Sequence, residues 1–388
     1  APGGFVLVPP EVDLSDIDDD FAPAGLSVSE SYLVAAPGTR IGFGTPELST
    51  GGLKSGVSAK VEAGALVLYT HDANGNVLSR ATQRYGYDAL NRLVNDNTNQ
   101  YGYDANSNRL SKAIDSATQT LDYFSHSNQL FSHNNVELEY DAVGNQLNDQ
   151  NGRRLEYNQA GQLVKVSQYN TTIAEYHYNA FNQRVMKQTQ EGTTRFTYDL
   201  QGMMIQESAN DDNTDIIWLD GQAVLQASNG TDTYIINDHL NTPRVGLNQQ
   251  GKTTWQWRSD GFGNTEPVND PDGNGEITEI NLRFPGQYAD KETGLYYNWN
   301  RYYDPETGRY VTSDPIGLMA GVNTYGYVGG NPINADDPYG LDLILVGDPG
   351  DSGGMFRLAA QTWNQENGGN HTVVNVSNGR EAVECVQT

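Results

Sequence analysis

One cysteine, Cys385, in 388 residues excludes an intrachain disulfide framework and a cysteine-ligated zinc site. Basic residues are scarce. The 23 Lys and Arg against 49 Asp and Glu give a formal charge of -26. That excludes sequence-independent binding to nucleic acid or to an anionic membrane as a main activity, since both need a basic surface. No apolar run approaches the roughly 18 residues that a membrane-spanning helix requires. Six histidines, at 71, 126, 133, 177, 239 and 371, show no metal-ligand spacing. There is no signal peptide and no initial Met, so the start at Ala1 reads as a processed or trimmed end with sequence missing upstream.

The abundant residues are turn formers and one aromatic. Gly numbers 42 and Tyr 23, against 10 Phe. This aromatic content is unlike that of disordered chains and predicts a folded body. Residues 1–65 mix Pro, Gly and an acidic cluster (Asp13, Asp16, Asp18, Asp19, Asp20). They read either as a solvated linker or as an extended plug that packs Phe5, Val6, Leu7 and Val8 on the main body.

From 66 to 205 the chain repeats itself. The anchor is an aromatic followed by Asp or Asn, a turn and an aliphatic. It begins with Tyr69 and Leu78, then Tyr87-Asp88 with Leu93, and Tyr103-Asp104 with Leu110. A degenerate Tyr123 with Leu130 follows, then Tyr140-Asp141 with Leu147. The last are Tyr157-Asn158 with Leu163, Tyr178-Asn179 with Val185, and Tyr198-Asp199 with Ile205. Successive anchors lie 18, 16, 20, 17, 17, 21 and 20 residues apart. Alternating polar and apolar residues between Asn/Gly turns predict short antiparallel strands. The Asp or Asn caps each turn through backbone N–H groups. A single hairpin cannot hide its apolar face, so neighbouring units must stack into a continuous sheet, which twists and coils.

Asp314-Pro-Ile-Gly317 and Asp337-Pro-Tyr-Gly340 form a pair with their aspartates 23 positions apart. Asp-Pro-x-Gly is a turn signature, so the plain reading is two similar turns. The chemical reading needs the fold to bring the two carboxylates together. They would then share one proton, the ionised member activating water and the protonated one polarising a carbonyl.

Asp270, Asp272 and Asn274 open a stretch, 270–281, spaced like a calcium loop, with Asn281 where a bidentate Glu is expected. It reads either as an acidic Gly-rich loop or as a calcium site. Gly350-Asp351-Ser352-Gly353-Gly354 copies a serine-protease nucleophile motif. The sequence before it is Tyr-Asp repeat and not a two-barrel domain, so it reads as a loop. Residues 342–388 change character. They predict a strand at 343–346, a helix at 355–363 and a strand at 372–376, the opening of an α/β domain.

The Tyr-Asp units resemble the YD/RHS repeats of RHS polymorphic toxins, toxin-complex C proteins and teneurins. The stretch 234–244, ending in Asp238-His239-Leu240-Asn241-Thr242-Pro243-Arg244, is similar to a recurrent segment of that family. So is Asp260-Gly261-Phe262-Gly263. The run from Phe284 through Tyr310 to Gly317 resembles its RHS-associated core. The resemblance implies a mainly β fold, a coiled antiparallel shell followed by the start of an α/β toxin. It implies a plug or linker at 1–65, repeats at 66–282, the core at 283–341 and toxin at 342–388. It also implies an aspartic autoprotease that cuts after the second Asp-Pro motif, between Leu341 and Asp342. Asp314 and Asp337 would be its catalytic pair and Arg301, thirteen residues before Asp314, its arginine. Arg309 and Asp336 are nearby rivals. No cofactor is required on this reading. The implied partners are the chain's own C-terminal fragment, a secretion-apparatus or adaptor protein, an immunity protein and a possible homodimer. The implied route is export from the bacterial cytoplasm, by type VI secretion. A different class, a non-enzymatic surface protein whose Tyr-rich repeats bind carbohydrate or a partner, would not need paired Asp-Pro-x-Gly motifs before a change of composition.

Overall fold

The computed structural model describes residues 26–29, 32–35, 57–62, 65–114, 117–210, 212–341 and 344–345. The acidic run 13–20, the plug residues 5–8, Asp342, the Gly-Asp-Ser-Gly-Gly loop, Cys385 and the predicted helix of the tail lie outside them. Two compact units divide the chain, one running to Arg84 and including Leu345, the other Tyr85–Ile344.

In the first unit, Leu26–Ser29 and Tyr32–Ala35 form an antiparallel hairpin. Ala65–His71 pairs with Tyr32–Ala35, with Val57–Glu62 and with Val77–Arg80. Three strands thus fall within the segment read from sequence as plug or linker.

The strands of the second unit are antiparallel, and within each sheet a strand pairs with the next in sequence. The longest ladder has eleven strands, from Arg153–Tyr157 to Thr253–Gln256. The repeats therefore continue past 205, with Trp218 and Asn237 standing where earlier units have Tyr. At most anchors the register slips by one, as between Glu156 and Tyr157 and between His177 and Tyr178. This bulge leaves a carbonyl without a ladder partner, and a buried carbonyl must find a donor. The next unit supplies it. Tyr103 Oη donates to Leu93 O, Tyr123 to Arg109 O, Tyr178 to Leu163 O and Tyr198 to Arg184 O, at 2.6–2.8 Å. Trp218 Nε1 does the same to Met204 O, and Asn237 Nδ2 to Ala223 O. The preference for Tyr over Phe follows, since only Tyr brings both the apolar body and the donor.

Each turn is closed by its acid or amide. Asp104 Oδ1 accepts the N–H groups of Asn106 and Asn108 at 2.8 Å, and its Oδ2 accepts the Asn108 side chain. Asp238 repeats the pattern with Leu240 and Thr242 and pairs its Oδ2 with Arg244. The fourth residue takes positive φ, as Gly144 (93°) and Asn241 (65°) do.

The inward position is fixed by this register. The bulge puts the residue six after the anchor opposite it and under the sheet: Leu93, Arg109, Leu163, Arg184, Met204. Leu78 and Leu110, the aliphatics of their units, face outward. In two units the inward side chain is Arg109 or Arg184. These are accommodated by the segment that follows the repeats. Arg184 forms an ion pair with Asp290, and Asp290 also takes Lys187 at 3.1 Å. Arg109 lies over the rings of Tyr101 and Phe262. That segment carries a four-stranded sheet, Tyr288–Ala289, Tyr296–Asn298, Arg301–Asp304 and Arg309–Tyr310, in that order. Its tyrosines 303, 310 and 327 pack ring on ring and are almost fully buried.

Candidate active site

The hairpin Tyr296–Asn298 and Arg301–Asp304 pairs Asn298 directly with Arg301. Tyr303 pairs with Tyr310 on the next strand. This register puts the Arg301 guanidinium 3.6 Å above the Tyr310 ring. A cation on the face of a phenol is held by the ring quadrupole, so Arg301 has one preferred direction. Its Nη2 reaches Asp314 Oδ2 at 2.8 Å and Asp337 Oδ2 at 3.1 Å. The other nitrogens donate to the backbone carbonyls of Gly340 and Thr324. All three side chains are at most 3% exposed.

Both Asp-Pro turns form, and they are what delivers the carboxylates. Asp314 Oδ1 accepts the Ile316 N–H at 2.9 Å, and Asp314 O accepts the Gly317 N–H at 2.9 Å. Asp337 Oδ1 accepts the Leu341 N–H at 3.1 Å. The Asp337 carboxylate is therefore bonded to the residue whose carbonyl would be cut. Gly340 has φ of 65°, and a Cβ there would collide with Asn298 O. Gly286 has φ of 80° and lets Pro338 O approach to where its own Cβ would be. Neither turn could seat so closely with another residue. A cavity of about 180 Å³ is bounded by Arg301, Asp314, Asp337 and Leu341, with Arg309 and Tyr103 across it.

The sequence-predicted Asp314, Asp337, Arg301 and Leu341 thus lie together. Asp342 lies outside the described residues. The rival Arg309 turns elsewhere: it donates to Asn128 O and stacks on Tyr123 and Tyr325. Asp336 is buried beside the pair. Burial first, and then the Asp337 charge, pushes its carboxyl up to about 7. Tyr310 and Asn298 escaped the sequence reading. Tyr310 Oη donates to Asp337 Oδ2 at 2.8 Å, and Asn298 Nδ2 bonds Tyr310 Oη and Asp337 O, both at 2.8 Å. Their signal was present in the ungapped core run, but no spacing rule links them to Asp337.

The stretch 270–281 is engaged in other ways. Asp270 accepts the N–H groups of Asn274 and Gly275, and Asp272 Oδ2 holds Lys252 Nζ at 2.9 Å. Asn281 bonds the Tyr288 hydroxyl. Among the described residues no group of three or more His, Cys, Asp or Glu is arranged to hold a metal. A calcium ion here would have to displace Lys252. His239 bonds Ile333 O at 2.7 Å, a structural contact.

Residues 60–333 match the Teneurin YD-shell family. The chain belongs to that family. Among curated relatives, this YD-shell chain is 43% identical over 109 residues to the toxin protein Tse5 of Pseudomonas aeruginosa, a match covering 28% of this chain and 8% of that protein. It is 42% identical over 108 residues to the double-stranded DNA deaminase toxin A of Burkholderia cenocepacia, covering 26% of this chain and 7% of the relative. Over 190 residues it is 32% identical to the probable deoxyribonuclease RhsB of Dickeya dadantii, covering 45% and 12%. The chain thus spans about a tenth of the length of these relatives. The crystal structure of TcdB2-TccC3-Cdc42 shares the fold, with a TM-score of 0.60 at 20% identity, covering 71% of this chain and 17% of that one. The repeats and the mainly β architecture are those of a YD shell.

Proposed function

We propose that this chain is the shell portion of an RHS-type effector and an intramolecular, single-turnover aspartic peptidase. It cuts its own Leu341–Asp342 bond and frees a C-terminal toxin that the shell encloses. The observation that carries this reading is one guanidinium, Arg301, touching both carboxylates while Leu341 donates to Asp337. Two carboxylates on one fixed cation can share a proton. Asp337, ionised, takes a proton from a water in the cavity, and the water oxygen bonds to the Leu341 carbonyl carbon. Asp314 gives its proton to the carbonyl oxygen. Collapse of the tetrahedral species breaks the C–N bond. The Asp342 nitrogen leaves with the proton that Asp337 took, a hydroxyl of that species returns its proton to Asp314, and Leu341 ends as a carboxylic acid.

The relatives named as toxins support a toxin as the freed part. Export from a bacterial cytoplasm by type VI secretion, with an adaptor, an immunity protein and self-association as partners, is part of the same proposal. Calcium at Asp270, Asp272 and Asn274 is the alternative to the Lys252–Asp272 ion pair that the loop makes. The test of the peptidase is processing of wild type, Asp314→Asn and Asp337→Asn on denaturing gels, after native size exclusion. Wild type is expected as two co-eluting fragments and both variants as intact, folded chains. Normal processing in both variants would overturn the peptidase. An intact wild type would favour the non-enzymatic binding protein. Loss of the tail under native conditions would overturn encapsulation alone.

A further inference from the structure

Tyr310 sits on the strand next to Arg301, 1% exposed, with its hydroxyl against the catalytic carboxylate. The direction of its proton is determined by its neighbours. Asn298 Nδ2 lies 2.8 Å from Asp337 O and 2.8 Å from Tyr310 Oη. A backbone carbonyl only accepts, so the atom facing it is the amide nitrogen. That nitrogen's second hydrogen goes to the Tyr310 oxygen. The Tyr310 hydrogen is then left for Asp337 Oδ2, at 2.8 Å. The same carboxylate receives Arg301 Nη2 on Oδ2 and the Leu341 N–H on Oδ1. Donors aimed at a carboxylate favour its ionised form. Burial, with the nearby Asp337 charge, holds the Tyr310 phenol well above its ordinary value, so it stays a donor throughout the working pH range.

We propose that Tyr310, with Asn298 locking its hydroxyl, is a positioning residue for the self-cleavage: it fixes Asp337 as the ionised member of the pair and leaves the shared proton on Asp314. This rests on the peptidase reading above. Tyr303 provides the control. It is equally buried, lies in the same ring cluster, and donates to Phe262 O away from the pair.

The experiment follows processing in time after cell-free synthesis of the full chain, from pH 5 to 9, for wild type, Tyr310→Phe, Asn298→Ser, Tyr303→Phe and Asp337→Asn. Loss of one charge-assisted hydrogen bond predicts cleavage slowed about tenfold or more in Tyr310→Phe. Its acidic limb should move to higher pH, because losing a donor to a carboxylate disfavours the ionised form. Asn298→Ser is expected to move the limb the same way, and supplies the answer if Tyr310→Phe does not fold. Tyr303→Phe is expected to keep the wild-type limb. A wild-type rate and limb in both site variants, with Asp337→Asn inert, would overturn the positioning role and leave the peptidase standing. Processing of Asp337→Asn would instead remove the peptidase on which it rests.

Discussion

Replacing Asp290 by Ala should be among the most damaging single changes in the second unit. Arg184 occupies an inward repeat position and Asp290 a short turn of the core segment, and both are at most 1% exposed. The rings of Tyr176, Phe196 and Tyr297 face the guanidinium, each within about 5 Å of it. Without Asp290, Arg184 is a buried cation whose carboxylate is gone, and Lys187 retains only Glu292. Breaking a buried pair by removing one partner costs about 3–5 kcal/mol. At about 2–4 °C per kcal/mol for a unit of this size, Tm should fall by roughly 6–20 °C. Burial alone would raise the Asp290 carboxyl, but the Arg184 and Lys187 charges outweigh it and hold it below its ordinary value. A depressed folded value means the pair stabilises the fold above the unfolded carboxylate range, about 3.9. That stability is lost as pH falls through the folded value. Thermal melts at pH 7 are the assay, with Arg184→Met/Asp290→Ala expected to recover part of the loss by removing the orphaned charge. A fall of less than about 1 °C in Asp290→Ala would refute the claim that this contact ties repeats to core.

Three further outcomes follow from the geometry. Tyr198→Phe keeps the ring but leaves Arg184 O without its donor, and should cost about 0.5–1.5 kcal/mol in a melt; no change would mean the bulge carbonyl has another partner. Asp336 has its folded value raised to about 7, so its contribution is fully present below about pH 3.9 and is lost as pH rises toward 7. Asp336→Asn should therefore flatten the decline in Tm between pH 5 and 8, and an unchanged slope would contradict the assignment. Millimolar calcium should leave Tm unaltered while Lys252 holds Asp272, and an EDTA-reversible rise would establish 270–281 as a metal site.

The candidate site was readable because its two carboxylates announce themselves through Asp-Pro-x-Gly, a signature that sets turn and side-chain direction together. The same four residues make the turn and place the carboxylate, so the turn reading of Asp314 and Asp337 does not compete with the chemical one. Arg301 came from resemblance alone; nothing in its spacing says that a ring at Tyr310 aims it. Asn298, Tyr310 and Gly286 were illegible because their roles depend on strand register and a close approach of Pro338. The strands and turns of the repeats were legible from Tyr, Asp and Gly, but the buried face was not. A one-residue bulge at the anchor reverses side-chain parity, so Arg109 faces inward and its neighbour Leu110 outward. A hydrophobic-pattern reading passes over an arginine there, since its compensation, Asp290 for Arg184 and the Phe262 ring for Arg109, lies about a hundred or more residues away.

The most direct measurement is the N-terminal sequence and intact mass of whatever separates from the purified, denatured wild-type chain. Self-cleavage by the Asp314–Asp337 pair predicts one fragment beginning at Asp342 and one ending at Leu341, with neither present in Asp337→Asn. A cut at any other bond, or the same cut in Asp337→Asn, would contradict the account.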